Sequence, residues 1–146
     1  MGVGWNSVVG AWEFTTIDFR LKPHAGRYES GTLNVGGTLA MGASLDLLLA
    51  VGLETIETQI LALTDRLCLQ LTSTPWRVFG RITPESRSGI VSLEPPPGRD
   101  VVEVARVLRE SGVVVNRRAG RLRVSPHAYN SVEEIDRLVG LLAEMG

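Results

Sequence analysis

Apolar positions three or four residues apart run from Leu53 to Leu71, where Leu53, Ile56, Ile60, Leu63, Leu67 and Leu71 make one stripe. The spacing predicts a helix that Pro75 ends, because proline cannot continue the hydrogen-bond ladder. Just upstream, Gly36-Gly37-Thr38 leads into Leu39, Met41, Leu45, Leu48 and Leu49, a second helical pattern that stops at Gly52. Beyond Pro75 the period shortens. Residues 76–79 and 90–93 are β-prone runs around a Thr-Pro-Glu-Ser-Arg-Ser-Gly loop. Three prolines and Gly98 close the second run before a helix over about residues 100–111, with Val101, Val104, Ala105 and Leu108 on one face and Gly112 as its stop. Residues 113–115 and 122–124 flank Asn116-Arg117-Arg118-Ala119-Gly120, which predicts a hairpin with a glycine in its turn. Ser131-Val132-Glu133-Glu134 is a capping box, and Val132, Ile135, Leu138, Val139 and Leu142 supply the buried face of a last helix. Residues 1–33 hold no sustained period and predict irregular chain with at most a short strand.

The order helix, helix, strand, strand, helix, strand, strand, helix predicts an α+β fold. Its core is a two-layer sandwich of a small, mostly antiparallel sheet with helices on one face, preceded by a helical, partly irregular N-terminal segment. The expected division is 1–52 for that segment, with its anion-loop motif and first helix, and 53–146 for the sandwich. There is no internal repeat.

Composition narrows the function. With 146 residues, 44% of them hydrophobic, the chain can bury a core of ordinary domain size. A formal net charge of -1 gives no overall pull toward nucleic acid or an acidic membrane surface, so any anion site must be local. No apolar run approaches the roughly 20 residues a membrane span needs. The N-terminus lacks the basic-then-apolar order of a secretory signal, so the expected location is cytoplasmic. The single cysteine, Cys68, sits among leucines, which excludes an internal disulfide and predicts a buried core thiol. Fourteen of the fifteen basic residues are arginine. Lys22 is the only lysine, hence the only candidate for a Schiff base or a P-loop role.

Residues 27–37 (Arg-Tyr-Glu-Ser-Gly-Thr-Leu-Asn-Val-Gly-Gly) run straight into the first predicted helix, which would gather backbone N–H groups and the Thr32 hydroxyl at a positive helix end. No lysine follows the glycines, so this is not a Walker loop. Arg117, Arg118, Arg121 and Arg123 crowd the predicted hairpin; in a two-residue period Arg121 and Arg123 share a face with Leu122 opposite. One of them could clamp a carboxylate through the planar guanidinium fork, or the group could be a solvated charged turn. No aromatics interleave with these arginines, which argues against nucleic acid. His24 and His127 lack metal-ligand companions at helical spacing, and no serine sits in a nucleophile elbow, so neither a metal site nor a catalytic residue is expected.

Three strings together resemble a known family. Gly4-Trp5, Asp18-Phe19-Arg20-Leu21-Lys22-Pro23 and Arg27-Tyr28-Glu29-Ser30-Gly31-Thr32-Leu33-Asn34 are similar to the stretch that follows the cofactor lysine in class V aminotransferase-like enzymes dependent on pyridoxal phosphate (PLP). That fold-type I group includes cysteine desulfurases, kynureninases and isopenicillin N epimerase-like proteins. Residues 120–138, with Arg123-Val124-Ser125-Pro126-His127-Ala128-Tyr129-Asn130 at their centre, resemble the family's closing strand and helix. The resemblance implies that Thr32 contacts the PLP phosphate of a neighbouring subunit in a dimer, and that Arg123 binds the substrate α-carboxylate. Leu33 departs from the family's proline. The loop where desulfurases carry a cysteine has no thiol here, which implies the epimerase-like branch over persulfide chemistry. Lys22 falls outside the position of the Schiff-base lysine. The implied large domain, with that lysine, its pyridine-nitrogen aspartate and its ring-stacking residue, lies outside the chain.

The expected function is therefore a small domain that is catalytically silent alone and holds no PLP by itself. One rival is the small-domain half of a split PLP enzyme acting on an amino acid; another is an unrelated binding module on the same sandwich. The expected partners are a second copy, met through the Leu53–Leu71 helix and the N-terminal segment, or a separate PLP-binding large-domain chain.

Overall fold

A computed structural model of the protein describes residues 2–80 and 82–146. The chain divides into two compact units, Met1–Leu48 and Leu49–Gly146.

In the first unit two short 3-10 turns, Trp5–Ser7 and Ala25–Tyr28, are joined by an irregular loop. Its strand-like content is one antiparallel bridge, Val8 to Leu21, flanked by bonds from Val9 N–H to the Arg20 carbonyl and from Lys22 N–H to the Ser7 carbonyl. His24 accepts the Gly26 N–H on Nδ1 and so caps the second turn. Helix α1, Val35–Val51, begins in this unit and buries none of its residues. Leu39 is 70% exposed, and Met41, Leu45 and Leu47 are exposed with it. Apolar side chains surround this helix instead of forming a stripe, so no single packed face could satisfy it.

The second unit contains α2 (Leu53–Leu71), β1 (Arg77–Val78), β2 (Val91–Glu94), α3 (Val101–Glu110), β3 (Asn116–Arg118), β4 (Arg121–Val124) and α4 (Val132–Glu144). All three strand pairings are antiparallel, in the order β1-β2-β4-β3. This is the predicted two-layer α+β sandwich, with α2, α3 and α4 on one face. Leu63, Leu67 and Leu71 of α2, Val104 and Leu108 of α3, and Ile135, Leu138, Val139 and Leu142 of α4 enclose Val91, Leu93, Leu122 and Val124 of the sheet. Trp76 is buried with them and donates its indole N–H to the Leu142 carbonyl at 2.9 Å, so its polar atom is satisfied inside the core.

The helix ends follow the sequence signals. Asp100 accepts the Val102 N–H to start α3. At its other end Val113 N–H bonds to the Leu108 carbonyl and Gly112 N–H to the Arg109 carbonyl, a Schellman closure with Gly112 at φ 79°. Ser131 and Glu134 form the predicted capping box on α4. Among the described residues no single helix is long and apolar enough to cross a membrane.

Four local expectations need correction. Strand β3 is Asn116–Arg118, not residues 113–115, because the turn contracts to Ala119-Gly120. Both turn residues take positive φ, 50° and 72°, as tight hairpins require, and that pulls the arginines into the ladder. Val132 is 39% exposed, and the buried face of α4 starts one turn later, at Ile135. The α2 stripe is core only from Leu63 onward; Leu53 is exposed and Ile56 and Ile60 are half-buried. Cys68 is half-buried at the margin of the core, not inside it.

Candidate functional site

The pleat of the sheet sorts the basic residues. Along β4, Leu122 and Val124 point into the core while Arg121 and Arg123 point away from it. Register places Arg77 opposite Glu94, Arg118 opposite Arg121, and both Ser92 and Asn116 opposite Arg123. The outer face therefore carries Arg77, Arg118, Arg121 and Arg123 together with Glu94, Ser92 and Asn116. Arg117 is the exception in the predicted cluster. It pairs with Leu122, on the alternate side of the pleat.

Arg121 is held in place and Arg123 is not. The Arg121 guanidinium carbon stands 3.5 Å from the centroid of Phe79, a cation-π contact. Its Nη2 donates to Glu94 Oε1 at 3.4 Å and its Nη1 to the Ala119 carbonyl at 3.5 Å. Both are long beside the roughly 2.7–2.9 Å of a charge-assisted bond. Its Nε is buried without a hydrogen-bond partner among the described residues, and the same holds for Nε of Arg123. Among the described residues Arg123 enters no ion pair. The planar fork of a guanidinium matches the two oxygens of a carboxylate, which is the chemistry an under-bonded arginine has on offer. Beyond β4, His127 stacks on Tyr129 with centroids 4.5 Å apart, and its Nδ1 is likewise buried without a partner.

Thr32 lies in the first unit, on an exposed bend two residues before Asn34. Gly4 packs against the carbonyl of Ser30, two residues before Thr32: a Cβ on Gly4 would stand 1.9 Å from that oxygen, so only glycine admits the approach. Asn6 N–H then bonds that same carbonyl at 3.2 Å. The Gly4-Trp5 and Ser30-Gly31-Thr32 strings are thus neighbours in space. The helix end itself is less available than its sequence suggests. Asn34 takes the Gly37 N–H on its side chain at 2.9 Å and the Thr38 N–H on its carbonyl. Thr32 and Arg123 belong to different compact units, and each site stands on its own unit's geometry.

PLP needs an amine to condense with and donors for its phosphate. Lys22, the only lysine, donates its ammonium to Asn6 Oδ1 at 3.1 Å. That amine is engaged and Asn34 takes one of the α1 entry donors, the Gly37 N–H, so this part of the chain offers no ready amine for PLP and only part of a phosphate cradle. Cys68 is a poor nucleophile: burial pushes its thiol above the usual cysteine range, and the nearby Asp65 charge adds to the effect.

Phe79, Ser92 and Glu94 were missed in the sequence. Their signal was the alternation Arg77-Val78-Phe79 and Ser92-Leu93-Glu94, which places them outward, but only the strand register brings them to Arg121 and Arg123.

Comparison with known proteins gives this fold a family. The aminotransferase class-V family model matches residues 10–138. A probable cysteine desulfurase of Pyrococcus abyssi is 30% identical over 142 residues, covering 87% of this chain and 35% of that protein. Isopenicillin N epimerase of Streptomyces clavuligerus is 33% identical over 120 residues, covering 77% and 30%. The apo cysteine desulfurase structure from Thermococcus onnurineus aligns with a TM-score of 0.79 at 24% identity, covering 98% of this chain and 38% of that one. The chain belongs to the aminotransferase class-V family, and it spans about a third of the length of these relatives.

Proposed function

We propose that this chain is the small-domain part of a class V aminotransferase-like PLP enzyme, presenting Arg123 to the α-carboxylate of an amino acid and performing no chemistry by itself. Residues 53–146 are the small domain. Residues 1–52 are the segment that joins it to a cofactor-bearing large domain, whose surface covers the apolar residues of α1. Thr32 contributes its hydroxyl to the phosphate end of that cofactor. When bound in such an assembly PLP supplies the electron sink for reactions at the amino acid's α-carbon. This chain's part is to orient the carboxylate through a two-pronged bond.

The observation that carries the reading is the Arg123 guanidinium, half-buried, unpaired and flanked by Ser92 and Asn116 on the outer sheet face. The absence of a thiol between Asn116 and Gly120 supports the epimerase-like branch over desulfuration. The test is an NMR titration of the purified chain with L-alanine, following the arginine Nε–H signals. Arg123 should shift with saturation in the millimolar range, about -4 kcal/mol, and the response should vanish in Arg123→Gln. An Arg123 signal unmoved by carboxylates would overturn the assignment.

A further inference from the structure

We infer that the site around Arg123 is built for an amino acid with a second carboxylate on its side chain, and that Arg121 is the residue that selects it. The inference rests on the reading of Arg123 as the α-carboxylate receptor and adds the substrate class.

Charge is the first argument. The chain as a whole is net -1, yet the outer sheet face gathers Arg77, Arg118, Arg121 and Arg123 around the single carboxylate of Glu94. Arg118 and Arg121 face each other directly across the hairpin, a like-charge pair that costs stability unless something negative sits over it. Glu94 answers that need only in part, at 3.4 Å from one nitrogen of Arg121. An anion arriving from solvent removes the remaining repulsion.

Position is the second. Arg121 and Arg123 are two residues apart on one strand, so their side chains leave the same face about 7 Å apart at the backbone. Long side chains converge from that spacing onto the two ends of a glutamate-sized diacid. Phe79 fixes Arg121 from one side and so lowers the entropy lost when its fork closes on a ligand. Nε of Arg121 and Nε of Arg123 are both buried, so a ligand on this face meets their outer Nη nitrogens: those of Arg123 enter no ion pair among the described residues, and those of Arg121 hold only long bonds of 3.4 and 3.5 Å. A neutral amino acid engages only one of the two guanidinium groups.

The experiment compares L-glutamate with L-alanine on the full chain, at one pH and fixed ionic strength, by NMR of the arginine Nε–H signals. L-Glutamate should bind about tenfold more tightly than L-alanine and shift Arg121 as well as Arg123. Arg121→Gln should bring glutamate to the alanine level and leave alanine unchanged, whereas Arg123→Gln should weaken both. Arg118→Gln, at an exposed position, provides a second variant that should reduce the preference should Arg121→Gln disturb the sheet. Sodium sulfate at the same ionic strength separates a carboxylate pair from any dianion; it should compete at Arg121 without displacing alanine from Arg123. Equal affinities for the two amino acids, or a preference that survives both Arg121→Gln and Arg118→Gln, overturns the inference. Failure of alanine to move Arg123 would instead overturn the carboxylate reading beneath it.

Discussion

Arg66 of α2 and Asp136 of α4 are joined by a two-pronged pair, Nε to Oδ1 and Nη2 to Oδ2, both at 2.7 Å. Gln70, one turn along α2, donates a third bond to the same carboxylate at 2.8 Å. The hydrogen bond from Arg66 is the main reason that the Asp136 carboxyl lies below the usual aspartate range, and Gln70 adds to it.

A carboxyl held low in the folded state favours folding above its ordinary value and loses that contribution as pH falls through the lowered one. Asp136→Asn should therefore lower the urea midpoint at pH 7, and the gap between variant and parent should close as the solution is acidified below pH ~4. Paired urea titrations at both pH values check it. An unchanged gap in acid would mean that the carboxylate contributes through shape and not charge.

Core and site should respond to mutation in opposite ways. Leu108 is fully buried between α3 and the sheet, so Leu108→Ala should cost about 2–5 kcal/mol. Arg123 lies on the outer face, and Arg123→Gln should stay within about 0.5 kcal/mol of the parent while losing the carboxylate response. Thermal melts rank the two. A larger loss from Arg123→Gln would make that arginine structural and remove it from the site.

The Cys68 thiol, raised by burial and by Asp65, should react slowly with an uncharged disulfide reagent at pH 7.4. The rate in native protein should fall well below that in urea-unfolded chain, where the thiolate fraction returns to its ordinary level. Equal rates would show that the margin of the core around Cys68 is open.

Much of the second unit was legible because its signals are local. The capping box at Ser131, the stop at Gly112 and the proline after α2 each act within one turn of chain, and each appears where the pattern put it. The hairpin was misplaced by three residues because its turn depends on the positive φ of Ala119, a residue whose type carries no such signal. The site was legible only as single residues. Arg123 could be marked from its motif, but its neighbours Ser92 and Asn116 come from strands about 30 and 7 residues away in sequence, and antiparallel register alone assembles them. At the Gly-rich entry to α1 the sequence shows the glycines and Thr32 but not that the Asn34 side chain, one residue before the helix, takes the Gly37 N–H.

The most direct test of the central claim, a small domain without a self-sufficient cofactor site, is a titration of the purified chain with PLP, followed by borohydride reduction and mass spectrometry. The phosphate meets few donors here and Lys22 is tied to Asn6, so affinity should be roughly millimolar, suppressed by added phosphate and weakened by Thr32→Val. Reduction should leave Lys22 with no more label than the same chain unfolded in urea. Micromolar binding that survives both phosphate and Thr32→Val, with stoichiometric label on Lys22, would contradict the account.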